Sequence, residues 1–304
     1  MNRTHRLIVS VALTVGLVIV QIAYGLVAHS TGLLADAGHN LSDVGALMLS
    51  LAAVRLALRP PSPTRSFGNH RATILAALAN ASLIAVVTAL IVIESIHRLG
   101  HPEPVRAGIM IMVASLGLAV NGAAALVLRD GSNDLNMRSA LLHMVGDALA
   151  SFAVVIAGVA LLFVPGASWI DPASALVVAA IIVYQASRVF RGSIAVLLES
   201  TPTDVNLAEL TATMVAVPGV GEVHDLHVWS LSSEMRVLSA HMVLTGHPTL
   251  EQAQAVGDLV KAAIAGRYSI AHSTLELECE RCIDDDDPCR MEPLSPTTGA
   301  FHTH

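Results

Sequence analysis

A histidine and an aspartate stand four residues apart twice in this chain. His39 and Asp43 lie in LLADAGHNLSDVGAL, and His143 and Asp147 lie in SALLHMVGDALASF. On a helix that spacing stacks the two side chains on one face. Two helices that each carry the pair could converge two imidazoles and two carboxylates, a tetrahedral ligand set for zinc. Imidazole suits zinc and the later transition metals, whereas all-carboxylate sites suit manganese or magnesium. Zn2+ is therefore the expected ion, with Cd2+ and Co2+ next. Asp36, one turn nearer the start of the first segment, reads as a vestibule group or a support for the ligands.

The surroundings make these residues costly. Both segments sit inside long apolar runs, and a charge at the centre of a bilayer costs roughly 3 kcal/mol or more. No lysine or arginine lies in the middle of either run to pair with the aspartates. A lone histidine there could serve as a hydrogen bond between helices. A matched pair on two separate segments has no such ordinary explanation, and intramembrane ionisable residues are functional by default.

The elements that must position these residues follow from composition. Of 304 residues, 54% are hydrophobic and 13% charged; soluble domains carry about 25% charged residues. Mean hydropathy is +0.64. Apolar stretches long enough to cross a bilayer, about 20 residues, run over 7–28, 33–58, 72–97, 105–128, 138–163 and 170–190. The first follows Arg3 and Arg6 but is longer than the apolar part of a secretory signal, so it reads as a retained span. Arg3, Arg6, Arg55, Arg59, Arg65, Arg71, Arg129, Arg138, Arg188 and Arg191 fall on the side of the N-terminus. Only Arg98 and Arg106 fall opposite. By the positive-inside rule both termini are cytoplasmic, and the expected place is the inner (plasma) membrane. The net charge of −7, with Asp284–Asp287 in one run, argues against a nucleic-acid partner. That run reads as a solvated tail.

Beyond residue 198 the pattern becomes that of a soluble domain, expected over 199–280, with an acidic tail at 281–304. Asp204 can cap a helix through Val217, stopped by Pro218-Gly219. VHDLHVWSL and MRVLSAHMVL read as strands joined at Ser232-Ser233. Thr249 and Gln252 form a capping box for a helix to about Ala265, with Gly266 beyond its end. SIAHSTLELE is a third strand. The expected fold is an α-helical membrane protein: six transmembrane helices, then a cytosolic ferredoxin-like αββαβ domain. That domain carries further metal-capable residues: His224, Asp225, His241, His272 and the pair Cys279-x-x-Cys282, at a common zinc spacing. With Cys289 these are all the cysteines. A cytosolic location favours thiol or metal chemistry over disulfides.

GLLADAGHNLSDVGAL, FGNHRATILAALAN, DLNMRSALLHMVGDALASF, HDLHVWSL and HSTLELE together resemble the cation diffusion facilitator family of zinc transporters, in order and spacing, over nearly the whole chain. The resemblance implies a homodimer of six-span protomers that exports Zn2+ from the cytosol in exchange for protons. It assigns His39, Asp43, His143 and Asp147 to the transport site. It also places a basic and an acidic residue, here Arg71 and Glu199, in a charge contact between protomers. Two features depart from the pattern. Asn69, followed by His70, stands where some bacterial members have a histidine, and no histidine-rich stretch joins the fourth and fifth spans. Two other functions fit parts of the sequence. An intramembrane zinc enzyme would need an open coordination position and a general base, but the four-ligand set leaves none and no H-E-x-x-H occurs, so no catalytic activity is expected. A membrane metal sensor would bind through the tail and move nothing.

Overall fold

The structure is a computed structural model whose backbone is described for residues 3–101, 103–129, 135–164, 166–233 and 235–280. Side chains of 3–13, 47, 124, 127–129 and 135–143 fall outside that description. Cys282, Asp284–Asp287 and Cys289 therefore lie outside the described residues, as does the side chain of His143. The chain divides into two compact units between Ala195 and Val196.

Six helices make up the first unit: α1 (Arg3–Ala28), α2 (Thr31–Ala57), α3 (Ala72–Gly100), α4 (Ala107–Arg129), α5 (Leu135–Phe163) and α6 (Ile170–Leu197). Over their described residues α2, α3, α5 and α6 are long and apolar enough to cross a membrane; α1 and α4 contribute shorter apolar stretches, Thr14–Ala28 and Ala107–Ala123. The core of the unit is built from small and medium side chains: Ala35 of α2, Met110 and Ala114 of α4, Ala150 and Val154 of α5. Small residues let backbones approach closely where lipid offers no hydrophobic drive between helices. The large apolar side chains point the other way. Ile19, Met48, Leu83, Leu90, Ile93 and Phe163 are all exposed, a surface suited to hydrocarbon and not to water.

Helix α2 carries His39 and Asp43, so the way its start is fixed decides where both side chains lie. Ser30 adopts an extended conformation and its Oγ accepts from Leu33 N at 3.2 Å, so the helix begins two residues before the apolar run does. The same end is held by Asp171 in the first turn of α6. Its fully buried carboxylate accepts from Ser30 Oγ (2.5 Å), Thr31 N (2.7 Å), Thr31 Oγ1 (2.8 Å) and Gly32 N (3.2 Å). A carboxylate at a helix N-terminus is favoured by the helix dipole as well as by these donors. Gly32 is required for the approach: a Cβ there would stand 2.8 Å from Ser174 Oγ and 3.1 Å from Asp171 Oδ1.

The second unit has the order α7 (Leu207–Val215), β1 (Val220–Ser230), β2 (Arg236–Leu244), α8 (Leu250–Tyr268) and β3 (Ile270–Glu278). β1 pairs antiparallel with β2, and β3, after the α8 crossover, pairs parallel with β2 on its other edge. Leu210, Met214, Val228, Leu238, Met242, Val260 and Ile264 fill the core between sheet and helices. The cap of α7 is Asn206, not Asp204: Asn206 Oδ1 accepts from Ala208 N and Glu209 N, and the helix stops at Val215. Asp204 is instead held by Arg236, whose Nη2 donates to both carboxylate oxygens at 2.8 and 2.9 Å and keeps its carboxyl below the usual range. The capping box at Thr249 and Gln252 is present. α8 runs past Gly266 to Tyr268, because Tyr268 is buried in the core; Ser269, at φ 55°, takes the left-handed position that ends the helix.

Replacing Asp171 by alanine would strand the N–H groups of Thr31 and Gly32 in a dry site, at about 1–3 kcal/mol for each lost partner. Detergent-solubilised D171A is expected to melt below the parent, with D171N between them because an amide oxygen still accepts. Equal midpoints by circular dichroism would count against the anchor.

Candidate functional site

His39 lies on α2 and Asp147 on α5, and the fold brings them together: His39 Nε2 and Asp147 Oδ1 are 2.9 Å apart. Asp43, one turn along α2, brings Oδ2 to 3.9 Å from the same nitrogen. One ligand atom from each of the three lies within 4.8 Å of the others. His39 and Asp147 are buried, at 6% and 1% exposure, whereas the Asp43 side chain keeps 24% of its surface accessible. Access to the cluster is therefore from the Asp43 side. His143, one turn before Asp147 on α5, shares its helix face by spacing.

Asp36 is no open vestibule residue. It is fully buried, and its Oδ2 accepts from Gln21 Nε2 of α1 at 2.6 Å and from Ser151 Oγ of α5 at 3.0 Å. Gln21 Oε1 in turn accepts from Asn40 Nδ2 at 3.0 Å. Sequence reasoning does not single out Gln21, Asn40 or Ser151. Their only signal is that of polar residues in apolar runs, with Ser151 one helical turn from Asp147.

A second cluster sits on the sheet of the other unit. His224 of β1 and His241 of β2 are register partners, and Glu276 of β3 is the register partner of His241 on its other side. His241 is the hub: Nδ1 is 2.9 Å from Glu278 Oε1, and Nε2 is 3.5 Å from Asp225 Oδ2 and 3.4 Å from Glu276 Oε2. His224 Nε2 is 3.4 Å from Glu278 Oε2. His224, His241 and Glu278 can each present one ligand atom within 4.8 Å of the others. Consecutive strand residues normally face opposite ways. Here a bulge between His224 and His227, with Asp225 at φ 45°, lets both His224 and Asp225 approach His241. Asp225 Oδ1 also lies 2.8 Å from His227 Nε2.

Glu278 is the member of this cluster that sequence reasoning misses, although strand alternation puts it on the same face as Glu276. His272 is exposed and pairs with Val237, six residues from Glu278, which is about 20 Å along a strand; the structure does not bring it into the cluster. Cys279 is an exposed free thiol just past β3. Arg71 is the half-buried N-cap of α3, and Glu199, exposed at φ 56°, follows α6. In the loop before α3, Arg65 donates to Asn69 Oδ1.

Two family models match the chain: the cation efflux transmembrane domain over residues 7–198 and the cytoplasmic domain of cation efflux proteins over residues 202–280. Among similar proteins, a cadmium, cobalt and zinc/H(+)-K(+) antiporter of Bacillus velezensis is 34% identical over 300 residues, covering 97% of this chain and 95% of that protein. The zinc transporter ZitB of Escherichia coli is 35% identical over 307 residues, covering 100% and 95%. The metal cation efflux system protein CzcD of Cupriavidus metallidurans is 35% identical over 281 residues, covering 91% and 87%.

Removing one partner of a buried charged pair costs about 3–5 kcal/mol. In metal-free, chelator-treated protein, H39A is therefore expected to lower the melting midpoint clearly. D43A, at the accessible edge, should lower it less. The reverse order would mean that the His39–Asp147 pair does not stabilise the folded chain.

Proposed function

This chain belongs to the cation efflux family, and we propose that it is a multi-pass secondary transporter that exports Zn2+, with Cd2+ and Co2+ as further cargo, in exchange for protons. The observation that carries the reading is the trio of buried His39 and Asp147 with half-buried Asp43 inside the helical unit, with ligand atoms close enough to share one ion. His143 is the fourth ligand by its spacing from Asp147. The similar proteins are named as a zinc transporter, a metal cation efflux protein and a cadmium, cobalt and zinc antiporter with protons and potassium. In this reading all six helices cross the inner membrane, both termini are cytosolic, and the second unit is a ferredoxin-like domain through which two copies form a homodimer. Arg71 and Glu199 supply the charge contact between protomers.

The chemistry of the site explains the exchange. Two carboxylates, two neutral imidazoles and one divalent ion sum to zero charge. Emptied, the site would leave two negative charges in a poorly solvated interior, which is costly. Histidine titrates near neutral pH, so two protons on the imidazoles restore neutrality. The site is neutral when loaded with zinc or with protons and charged when loaded with neither, so only loaded forms cross readily. That asymmetry is what makes an exchanger and not a channel.

The sheet cluster suits a resident ion. Both ring nitrogens of His224 are buried without a hydrogen bond among the described residues, Nε2 standing 3.4 Å from Glu278 Oε2, and a bound cation would relieve this. His224, His241 and Glu278, with Asp225 at the edge, are the residues that would hold Zn2+ there, tying three strands together; Cys279 and Cys282 come directly after β3.

Asp147→Ala is expected to abolish zinc uptake by proteoliposomes while the dimer still elutes intact, and His39→Asp or His143→Asp should shift preference toward harder cations such as Mn2+. Normal zinc flux through D147A would sink the site assignment. Zinc movement should alkalinise the compartment it enters, with up to about two protons per ion, one per imidazole. A trapped pH dye that stays flat during zinc flux would leave a facilitated pathway. Finally, E278A should lose a zinc-dependent rise in the melting midpoint of the second unit, as a ligand of the folded form stabilises it.

A further inference from the structure

The pair His39–Asp147 has a neighbour one turn further along both helices. Asp36 precedes His39 by three residues on α2, and Ser151 comes four residues after Asp147 on α5; the hydrogen bond between Ser151 Oγ and Asp36 Oδ2, at 3.0 Å, closes a second rung. Two contacts that run down one helix and up the other make α2 and α5 antiparallel. The rungs lie about 5 Å apart, one helical turn. Asp43 marks the opposite, accessible end of the same ladder.

The second rung is built and incomplete. Asp36 is fully buried, and while Oδ2 accepts from both Ser151 and Gln21, Oδ1 is buried with no hydrogen-bond partner among the described residues. A carboxylate oxygen left without a donor in the interior is expensive. The backbone of α4 comes in close at Gly117, where a Cβ would stand 3.1 Å from Gln21 Nε2, 3.2 Å from Ser151 Oγ and 3.5 Å from Asp36 Oδ2. Contacts from α1, α4 and α5 thus converge on the Asp36 carboxylate at Oδ2, and Oδ1 of the same carboxylate is left over.

We propose that this rung is a second, weaker stopping place for the transported divalent cation, on the side of the transport site away from Asp43. Asp36 Oδ1 is its principal ligand and Ser151 Oγ its neighbour. The proposal rests on the reading that His39, Asp43 and Asp147 bind the cargo. Oxygen ligands hold zinc less firmly than imidazole does. An ion that moves from His39 to Asp36 goes from a tighter site to a looser one, which favours release, as a conduction path requires. For Ser151 Oγ to face an ion on Oδ1, its hydroxyl must turn away from Oδ2, so in this form the rung is closed and the ladder is reached from the Asp43 end.

The test uses the full-length dimer in liposomes with a lumenal zinc indicator, and equilibrium zinc binding to the same protein in detergent. Asp36→Asn keeps the size and an acceptor oxygen but removes the charge. The expected result is a maximal flux reduced about ten-fold or more, with half-saturation and equilibrium affinity for zinc changed by less than about two-fold. Wild-type flux in D36N would overturn the proposal. So would an unchanged maximal flux with affinity weakened, since Asp36 would then only support His39. Ser151→Cys gives a second readout. A thiolate on the rung should retain soft Cd2+ and lower cadmium flux relative to zinc flux; an unchanged ratio would overturn the proposal even if D36N failed to assemble. Asp147→Ala separates the two ideas. If D147A is inactive and D36N is not, the transport site stands and the second stop falls; if D147A is active, the transport-site reading falls first.

Discussion

A carboxylate in the interior of a lipid-facing bundle must always have company, and the helical unit is arranged around meeting that demand in different ways. Asp171 is surrounded by four donors from the start of α2 and serves as a fixed anchor. Asp147 faces an imidazole. Asp36 has donors on one oxygen only. Asp43 keeps a partly accessible edge. These arrangements grade from a fully hydrogen-bonded carboxylate, which has no reason to bind anything, to ones that a cation or proton would complete. Desolvation cost, not sequence position, separates the hydrogen-bonded anchor from the carboxylates that a cation or proton would complete.

That same demand shapes the helices that carry them. For His39 to reach Asp147, and Gln21 and Ser151 to reach Asp36, the backbones of three helices, α1, α2 and α5, must come close. Gly32 stands where a Cβ would collide with Ser174 Oγ, Gly117 where one would crowd Gln21 and Ser151, and Ala35, Ala114 and Ala150 line the core of the same unit. Larger side chains would push the donors out of range and leave the carboxylates exposed to hydrocarbon. The bulky residues are accordingly displaced to the outer surface.

Much of this is legible in the sequence because it is written at helical spacing. The H-x-x-x-D pairs need only the 3.6-residue period to place both groups on one face, and the apolar runs and Thr249 capping box likewise rest on local rules. The rest depends on contacts distant in sequence. Asp171 reads as an ordinary residue of a first helical turn until α2 is packed against it, 140 residues away. Glu278 belongs with His241 only because β3 pairs parallel with β2 in one particular register. Asp225 reaches His241 through a bulge and a left-handed φ that strand alternation alone would forbid. Two helix ends differ from local expectation for the same reason. Asp204 is a good cap in isolation, but Arg236 from β2 takes its carboxylate and leaves the capping to Asn206. Gly266 is a good stop, but a buried Tyr268 carries α8 past it.

The two metal-capable clusters differ in a way that their scaffolds make physical. On the sheet, His224, His241 and Glu278 come from three strands whose spacing is locked by backbone hydrogen bonds at about 4.8 Å per strand. The separation of these side chains cannot change much without breaking the ladder. In the bundle, His39 and Asp147 come from helices with no backbone bond between them. α4 packs along α5 for much of its length, whereas α2 meets α5 only over a short stretch. The distance between His39 and Asp147 is therefore set by side-chain packing alone, with no ladder of backbone bonds to fix it. A rigid sheet suits an ion that remains; two loosely joined helices suit one that must leave.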